Sequence, residues 1–287
     1  MAKQQRYFCK DCKNYFQTKK RPDKLAQIIF NKYTNDHRTL KDLADDYGKS
    51  IKWVRTQITK AKSINKTVGP SGLVMVADVT FWGRMYGFIV FRAPSIKKNL
   101  YYKLIPYETI HEYALGRTVL EQKGFKIAAI VLDGRPGVRN IFLDILVQMC
   151  HFHQKQIVRR HLTNNPKLEA GIELKKIADT LCNTNEERFT GELETWHQKW
   201  EVFLKEKTTD PITGRWHYTH KRIRSAHRSL KTNLPYLFTY QKYPELNIPN
   251  TTNSLDGSFS HLKSKINIHR GLREPIKRKM IEHILGN

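Results

Sequence analysis

Two apolar runs, each carrying an aspartate, limit most strongly what this chain can fold into. LVMVADVTF, at 73–81, is a β-branched run with the pattern of a buried strand, and Asp78 interrupts it. A carboxylate buried in such a run is costly unless it is paired or bound to a cation. FKIAAIVLDG, at 125–134, is a second run of this kind, and Asp133 ends it, where a side chain projects from the carboxyl edge of a sheet. Each aspartate has an ordinary explanation: Asp-Gly is a common turn, and the backbone can satisfy an Asp inside a strand. Two carboxylates at one strand edge, however, invite Mg²⁺, a hard cation that prefers oxygen. A two-metal site also needs a third carboxylate, and Asp256 in TTNSLDGSFSHLK is the best candidate. Its ordinary reading is a first-turn residue facing the helix dipole. Lys263 follows two helical turns later, placed to hold a DNA phosphate beside the metals.

Charge says what such a site would meet. The 287 residues include 51 Lys+Arg and 26 Asp+Glu, a net +25, so the expected partner is a polyanion, with nucleic acid ahead of an anionic membrane. A basic ribosomal protein is the plainer reading of the charge. With 39% hydrophobic and 11% aromatic residues, the chain is a folded protein and not a basic tail. No apolar run is long enough to span a bilayer, and the polar, basic start has no secretory core behind it. Four cysteines do not make a disulfide scaffold, which points to a reducing, cytoplasmic setting.

Residues 1–20 form a basic arm in which Cys9 and Cys12 make a C-x₂-C pair, either half of a zinc site or two free thiols. Residues 21–62 read as three short helices. Leu25, Ile28, Ile29 and Tyr33 share a face of the first, Thr39 and Asp42 resemble a capping box, Gly48 is a stop and Ser50 a cap. Ile51, Val54 and Ile58 form the inner face of the last helix, leaving Lys52, Trp53, Arg55, Thr56 and Lys60 outward. The pattern is a helix-turn-helix whose second helix can enter a major groove. After a polar linker, residues 72–287 read as three meander strands, a helix, a strand, a helix over 138–146 and a strand at 147–150. That order matches an α/β, RNase H-like domain, with an all-helical insertion at about 160–245. Phe189, Leu193, Trp196, Trp200 and Leu204 recur as one core face of the insertion. Arg222, Arg224 and Arg228 lie in YTHKRIRSAHRSLKTN, which is either a phosphate-binding helix or a solvated face.

The stretches RYFCKDCKNYF, ADVTFWGRMYGFIVF, IVLDGRPGV, QMCHFHQKQIVRRHL and NTTNSLDGSFSHLK, with the helix-turn-helix, resemble bacterial insertion-sequence transposases of the Mutator-like group, and the resemblance covers nearly the whole chain. It implies an RNase H-like DDE/D domain with Asp78, Asp133 and Asp256 as catalytic, metal-holding acids. It also places the group's C-x₂-H signature on Cys150 and His153, in a supporting role. The implied activity is Mg²⁺-dependent DNA cleavage and strand transfer, with two ions (Mn²⁺ as substitute), on duplex ends bearing terminal inverted repeats and on target DNA. The implied assembly is a homodimer on paired ends. Three departures stand out. The third acid is Asp where the group usually has Glu, the upstream C-x₂-C that would complete a zinc ribbon is absent, and the chain ends soon after the last acidic helix. These features keep open a non-catalytic DNA-binding reading, either a degenerate or domesticated copy or a repressor. An RNase H-type nuclease shares the acids but not the recognition helices.

Overall fold

Leu73, Met75 and Ala77 are buried in one core, so alternation along Gly72–Trp82 turns Val76 and Asp78 to the opposite face. The computed structural model describes residues 7–16, 24–36, 38–61, 72–83, 86–269 and 271–286. In chain order, the hairpin β1 (Tyr7–Phe8) and β2 (Tyr15–Phe16) precedes helices α1 (Leu25–Asn35), α2 (Leu40–Tyr47) and α3 (Ile51–Lys60). Then come β3 (Gly72–Trp82), β4 (Tyr86–Ala93), β5 (Lys98–Ile105), α4 (Ile110–Gln122), β6 (Lys126–Leu132) and β7 (Leu146–Met149). Helices α5 (His151–Leu162), α6 (Glu169–Asp179), α7 (Glu186–Lys199) and α8 (Glu201–Lys205) lead to the hairpin β8 (Lys207–Thr209) and β9 (Trp216–Tyr218). Helices α9 (Lys221–Leu237), α10 (Thr239–Lys242), α11 (Asn253–Ile268) and α12 (Glu274–Gly286) complete the described elements.

Strands β3 to β7 form one mixed sheet in the order β5-β4-β3-β6-β7. The β3, β4 and β5 meander is antiparallel, while β6 and β7 add in parallel on the other side of β3. Between β3 and β6 the register begins at Leu73↔Ile127, shifts by one residue at a bulge, and resumes at Val74↔Ala129 through Val76↔Val131. On one face, α4 buries Tyr113 and Leu120 against the sheet. Gly116 lets it approach, since a Cβ there would lie 2.5 Å from the Phe91 ring. The open edge of β7 is closed by the junction after α9: Thr239 Oγ1 donates to Val147 O at 2.7 Å, and the buried Gln148 amide bonds Leu237 O and Tyr240 N. Such cover removes a free strand edge. Beyond it, α5, α6, α7 and α9 enclose a second core holding Phe189, Leu193, Trp196 and Leu204, with Trp200 packed against it, as their spacing predicts.

The chain divides into two compact units, Lys66–His261 with Leu285–Asn287, and Met1–Asn65 with Leu262–Ile284. In the second of these, Thr39 and Asp42 form a reciprocal capping box, Gly48 takes the left-handed conformation (φ 58°) at the turn, and Ser50 caps α3. Helix α12 belongs to this unit. Its Lys279 donates to Ile58 O and Thr59 O at the end of α3, and His269 bonds Tyr33 O at 3.0 Å.

Several expectations need correction. The helix over 138–146 is only a 3₁₀ turn, Val138–Phe142, because Val138 and Phe142 both bury within five residues. The last strand is Leu146–Met149, and Cys150 is already the N-cap of α5. The insertion is not all helical, since it contains β8 and β9. Ile28 and Ile51, assigned to inner faces, are exposed; Phe30 takes the buried place on α1.

Candidate active site

The sheet register builds the site. Carrying the register two residues beyond the pair Val76↔Val131 sets Asp78, on β3, opposite Asp133, the first residue after β6, and alternation turns Asp78 to the face away from α4. Asp78 is buried, and its Oδ1 accepts the Val79 N–H at 2.7 Å. Asp133 leaves β6 in a tight turn, accepting the Arg135 N–H at 3.0 Å. Gly134 makes that turn at φ 89°, and a Cβ there would collide with the Met149 side chain at 2.3 Å.

Burial pushes the Asp78 carboxyl up to about 7, against the opposing pull of His153 and the Val79 N–H, and the Asp133 and Asp256 charges raise it further. The same three acids named from sequence therefore share one electrostatic neighbourhood with His153. That histidine sits in the first turn of α5. Burial disfavours its charge, but the neighbouring Cys150 thiol and the Asp78 and Asp133 carboxylates outweigh burial and raise its pKa to about 9. Cys150 is fully buried, and burial works against its thiolate; His153 and Thr252 overcome that and lower its pKa. The sulfur accepts the Thr252 N–H at 3.3 Å and lies 3.5 Å from Thr252 Oγ1, which donates to Asp256 Oδ2 at 3.1 Å. A backbone bond, His151 N to Asn250 O at 2.9 Å, fixes the same segment before α11.

Residues that do not stand out in the sequence complete the surroundings. Glu108 accepts the Tyr113 hydroxyl at 2.9 Å and pairs with Arg135 at 3.0 Å. Burial raises its pKa, and the Asp133 charge adds to that rise. Arg135, adjoining Asp133, is thereby tied to Glu108, whose backbone carbonyl it also meets at 2.5 Å. A cleft of about 680 Å³ runs from Asp133 and His153 between Arg135, Arg139, Arg160 and Arg228. Arg139 stacks over Tyr236 at 4.4 Å and keeps a buried Nη1 without a hydrogen-bond partner.

The basic run on α9 divides by role. Arg228 lines that cleft, and Arg222 donates to Arg160 O at 3.1 Å. Arg224 stacks on Tyr218 at 3.6 Å and donates to Leu204 O at 2.6 Å, tying β9 to α8. On α3, Lys52, Arg55 and Thr56 are exposed, while Trp53 is half-buried against Tyr47. Lys263 lies on α11, seven residues after Asp256. Cys9 and Cys12 share the turn of the β1–β2 hairpin, where the backbone N–H groups of Cys12 and Asp11 lower the Cys9 pKa. Among the described residues no group of three His, Cys, Asp or Glu side chains is arranged as a ready-made metal cage, at the hairpin or at the acids. No described helix is long and apolar enough to cross a membrane.

No family model matches this chain, and no curated protein matches it. Among solved structures, it is similar to a chain in a simian T-cell lymphotropic virus intasome in complex with the PP2A regulatory subunit B56 gamma. The identity is 12% over 71% of this chain, with a TM-score of 0.24. This chain spans 65% of the length of that one. A likeness of that size carries no argument about the site, and the α/β fold stands on the strand order and register described above.

Proposed function

We propose that this chain is a DDE/D-type transposase that cleaves DNA at the ends of a mobile element and transfers the freed strand. The observation that carries this reading is that the β3–β6 register leads Asp78 and Asp133, at the carboxyl end of β6, toward one another, with Asp256 close enough to perturb Asp78. The donor chemistry suits a hard divalent cation: Asp78 is buried at an electrostatic cost, the Asp133 and Asp256 charges both act on it, and the adjoining Arg135 is engaged by Glu108. Two Mg²⁺ ions, or Mn²⁺, held by Asp78, Asp133 and Asp256 would supply Lewis-acid polarisation of the scissile phosphate and of the attacking hydroxyl.

The protein's own residues supply the rest. Arg139, Arg160 and Arg228 hold the backbone phosphates of the strand entering the cleft. His153, charged at neutral pH, offsets part of the acidic cluster. Lys52, Trp53, Arg55 and Thr56 on α3 read the terminal inverted repeat in the major groove. Lys263 takes a neighbouring phosphate, target DNA is the second substrate, and two copies act on paired ends. Asp78→Asn tests the reading with an end-containing duplex and Mg²⁺. Cleavage is expected to fall by at least 10³-fold with duplex binding retained, and unchanged cleavage sinks the assignment.

One rival is a DNA-binding protein that no longer cuts, a reading left open by Asp256 standing where the resembled group usually has Glu. It requires the wild-type chain to bind inverted-repeat DNA and leave it intact in Mg²⁺ and in Mn²⁺.

A further inference from the structure

Thr252 is fully buried at the entry to α11, and its side-chain hydrogen bonds are unusual for a residue in that place. A threonine before a helix ordinarily accepts backbone N–H bonds through its side-chain oxygen. The carbonyl of Thr252 takes the Leu255 and Asp256 N–H groups, at 2.7 and 3.1 Å, as a carbonyl at a helix entry does, and only the side chain departs from that pattern. The hydroxyl hydrogen goes to the Asp256 carboxylate, at 3.1 Å. Thr252 itself is held from behind by the buried Cys150, which takes its N–H and touches its hydroxyl oxygen. Cys150 in turn extends β7 by donating its own N–H to Leu132 O at 2.8 Å, one residue before Asp133. An unbroken path of hydrogen bonds thus runs from the strand bearing the second acid to the carboxylate of the third.

We propose that Thr252 is a positioning residue that, anchored on Cys150, fixes one oxygen of Asp256 and leaves the other for the cation shared with Asp78 and Asp133. The inference rests on the proposed metal-dependent reading of the site. It gives the short side chain at Asp256 a physical basis, since an aspartate has less reach than a glutamate and depends more on being aimed. Burial of both Thr252 and Cys150 leaves no room for water to replace the missing hydroxyl. Groups that orient a ligand in this way typically change metal affinity by about 10–100-fold when removed.

The test measures Mn²⁺ binding to the full chain without DNA, from the loss of the free-ion electron paramagnetic resonance signal, for wild type, Thr252→Val, Thr252→Ser and Asp256→Asn. Thr252→Val is expected to weaken Mn²⁺ binding about tenfold. Thr252→Ser, which keeps the hydroxyl, should stay within about twofold of wild type. The metal-free melting temperatures of the two variants should be alike, which separates aiming from folding. If Asp256→Asn weakens binding and Thr252→Val does not, the positioning role is overturned while the metal site stands. Equal loss in the Ser and Val variants also overturns it, because the hydroxyl then makes no difference. If wild type and Asp256→Asn bind alike, the metal site fails and the positioning role fails with it.

Discussion

The helical unit and the carboxyl edge of the sheet treat buried polar groups in opposite ways. In the helical unit the polar groups at the helix ends find partners: Thr39 and Asp42 cap each other, Ser50 caps α3, and Lys279 satisfies the carbonyls of Ile58 and Thr59. At the sheet edge, Asp78 is buried, and although His153 and the Val79 N–H favour its charge, burial and two more carboxylates outweigh them and raise its pKa to about 7. One region is built for its own stability. The other holds a charge that the fold alone does not neutralise, as expected where a ligand completes the balance.

The largest effect that sharpens this contrast comes from Asp78→Asn, which should remove Mg²⁺-dependent cleavage and yet stabilise the metal-free protein. Because the folded carboxyl holds its proton to about pH 7 while the unfolded one releases it near pH 4, the native state binds more protons between those values. While His153, raised to about 9, adds a separate fall between about pH 6.5 and 9, the Asp78 contribution to the stability of the metal-free wild type should therefore fall as pH rises from about 4 to 7 and level off above. In Asp78→Asn that slope should flatten, with melting at pH 8 raised by on the order of 5 °C. Thermal melts across pH, with and without Mg²⁺, check both. A variant that melts lower at pH 8 would break the contrast.

A middle-sized effect separates two arginines on one helix. Arg228→Glu, in the cleft, should weaken DNA binding about tenfold and reduce the salt dependence by about one phosphate contact. Arg224→Ala should leave DNA affinity alone and cost about 1 kcal/mol of stability by freeing β9. Salt titrations of duplex binding beside denaturant melts distinguish the two. The smallest effect belongs to the helical unit, where Thr39→Ala and Ser50→Ala should each cost about 1 kcal/mol. Neither should change the pH slope, and denaturant melts at pH 5 and pH 8 would show it.

How much of this was legible in sequence follows from the range of each signal. Capping at Thr39 and Ser50, the stop at Gly48 and the core face of α7 are written within four to fifteen residues and match the structure. Asp78 and Asp133 were legible because each breaks an apolar run. The β8–β9 hairpin had a local signal too, with Asp-Pro and Thr-Gly set between Thr-Thr and Trp-His-Tyr, but the helical periodicity on either side masked it. Glu108 and Thr252 had none. Glu108 looks like part of an ordinary helix entry, and Thr252 meets Cys150 across 102 positions of sequence. The division of Arg224 from Arg228 likewise depends on which turn of α9 faces Tyr218 and which faces the cleft.

The bulge near the start of β6 has a consequence for how this site tolerates change in chain length. Ala128 is the residue without a partner between Ile127 and Ala129; were it paired in unbroken register from Leu73↔Ile127, Asp78 would stand level with Leu132. β6 thus carries one spare residue upstream of Asp133. A one-residue deletion at Ala128 closes the ladder into regular pairing and keeps both acids level, whereas β3 has no such slack between Val74 and Asp78. A single loss there turns Asp78 into the apolar core. The two acids, equal in chemistry, are therefore unequal in tolerance: the approach to the second can lose a residue and keep its register, and the approach to the first cannot.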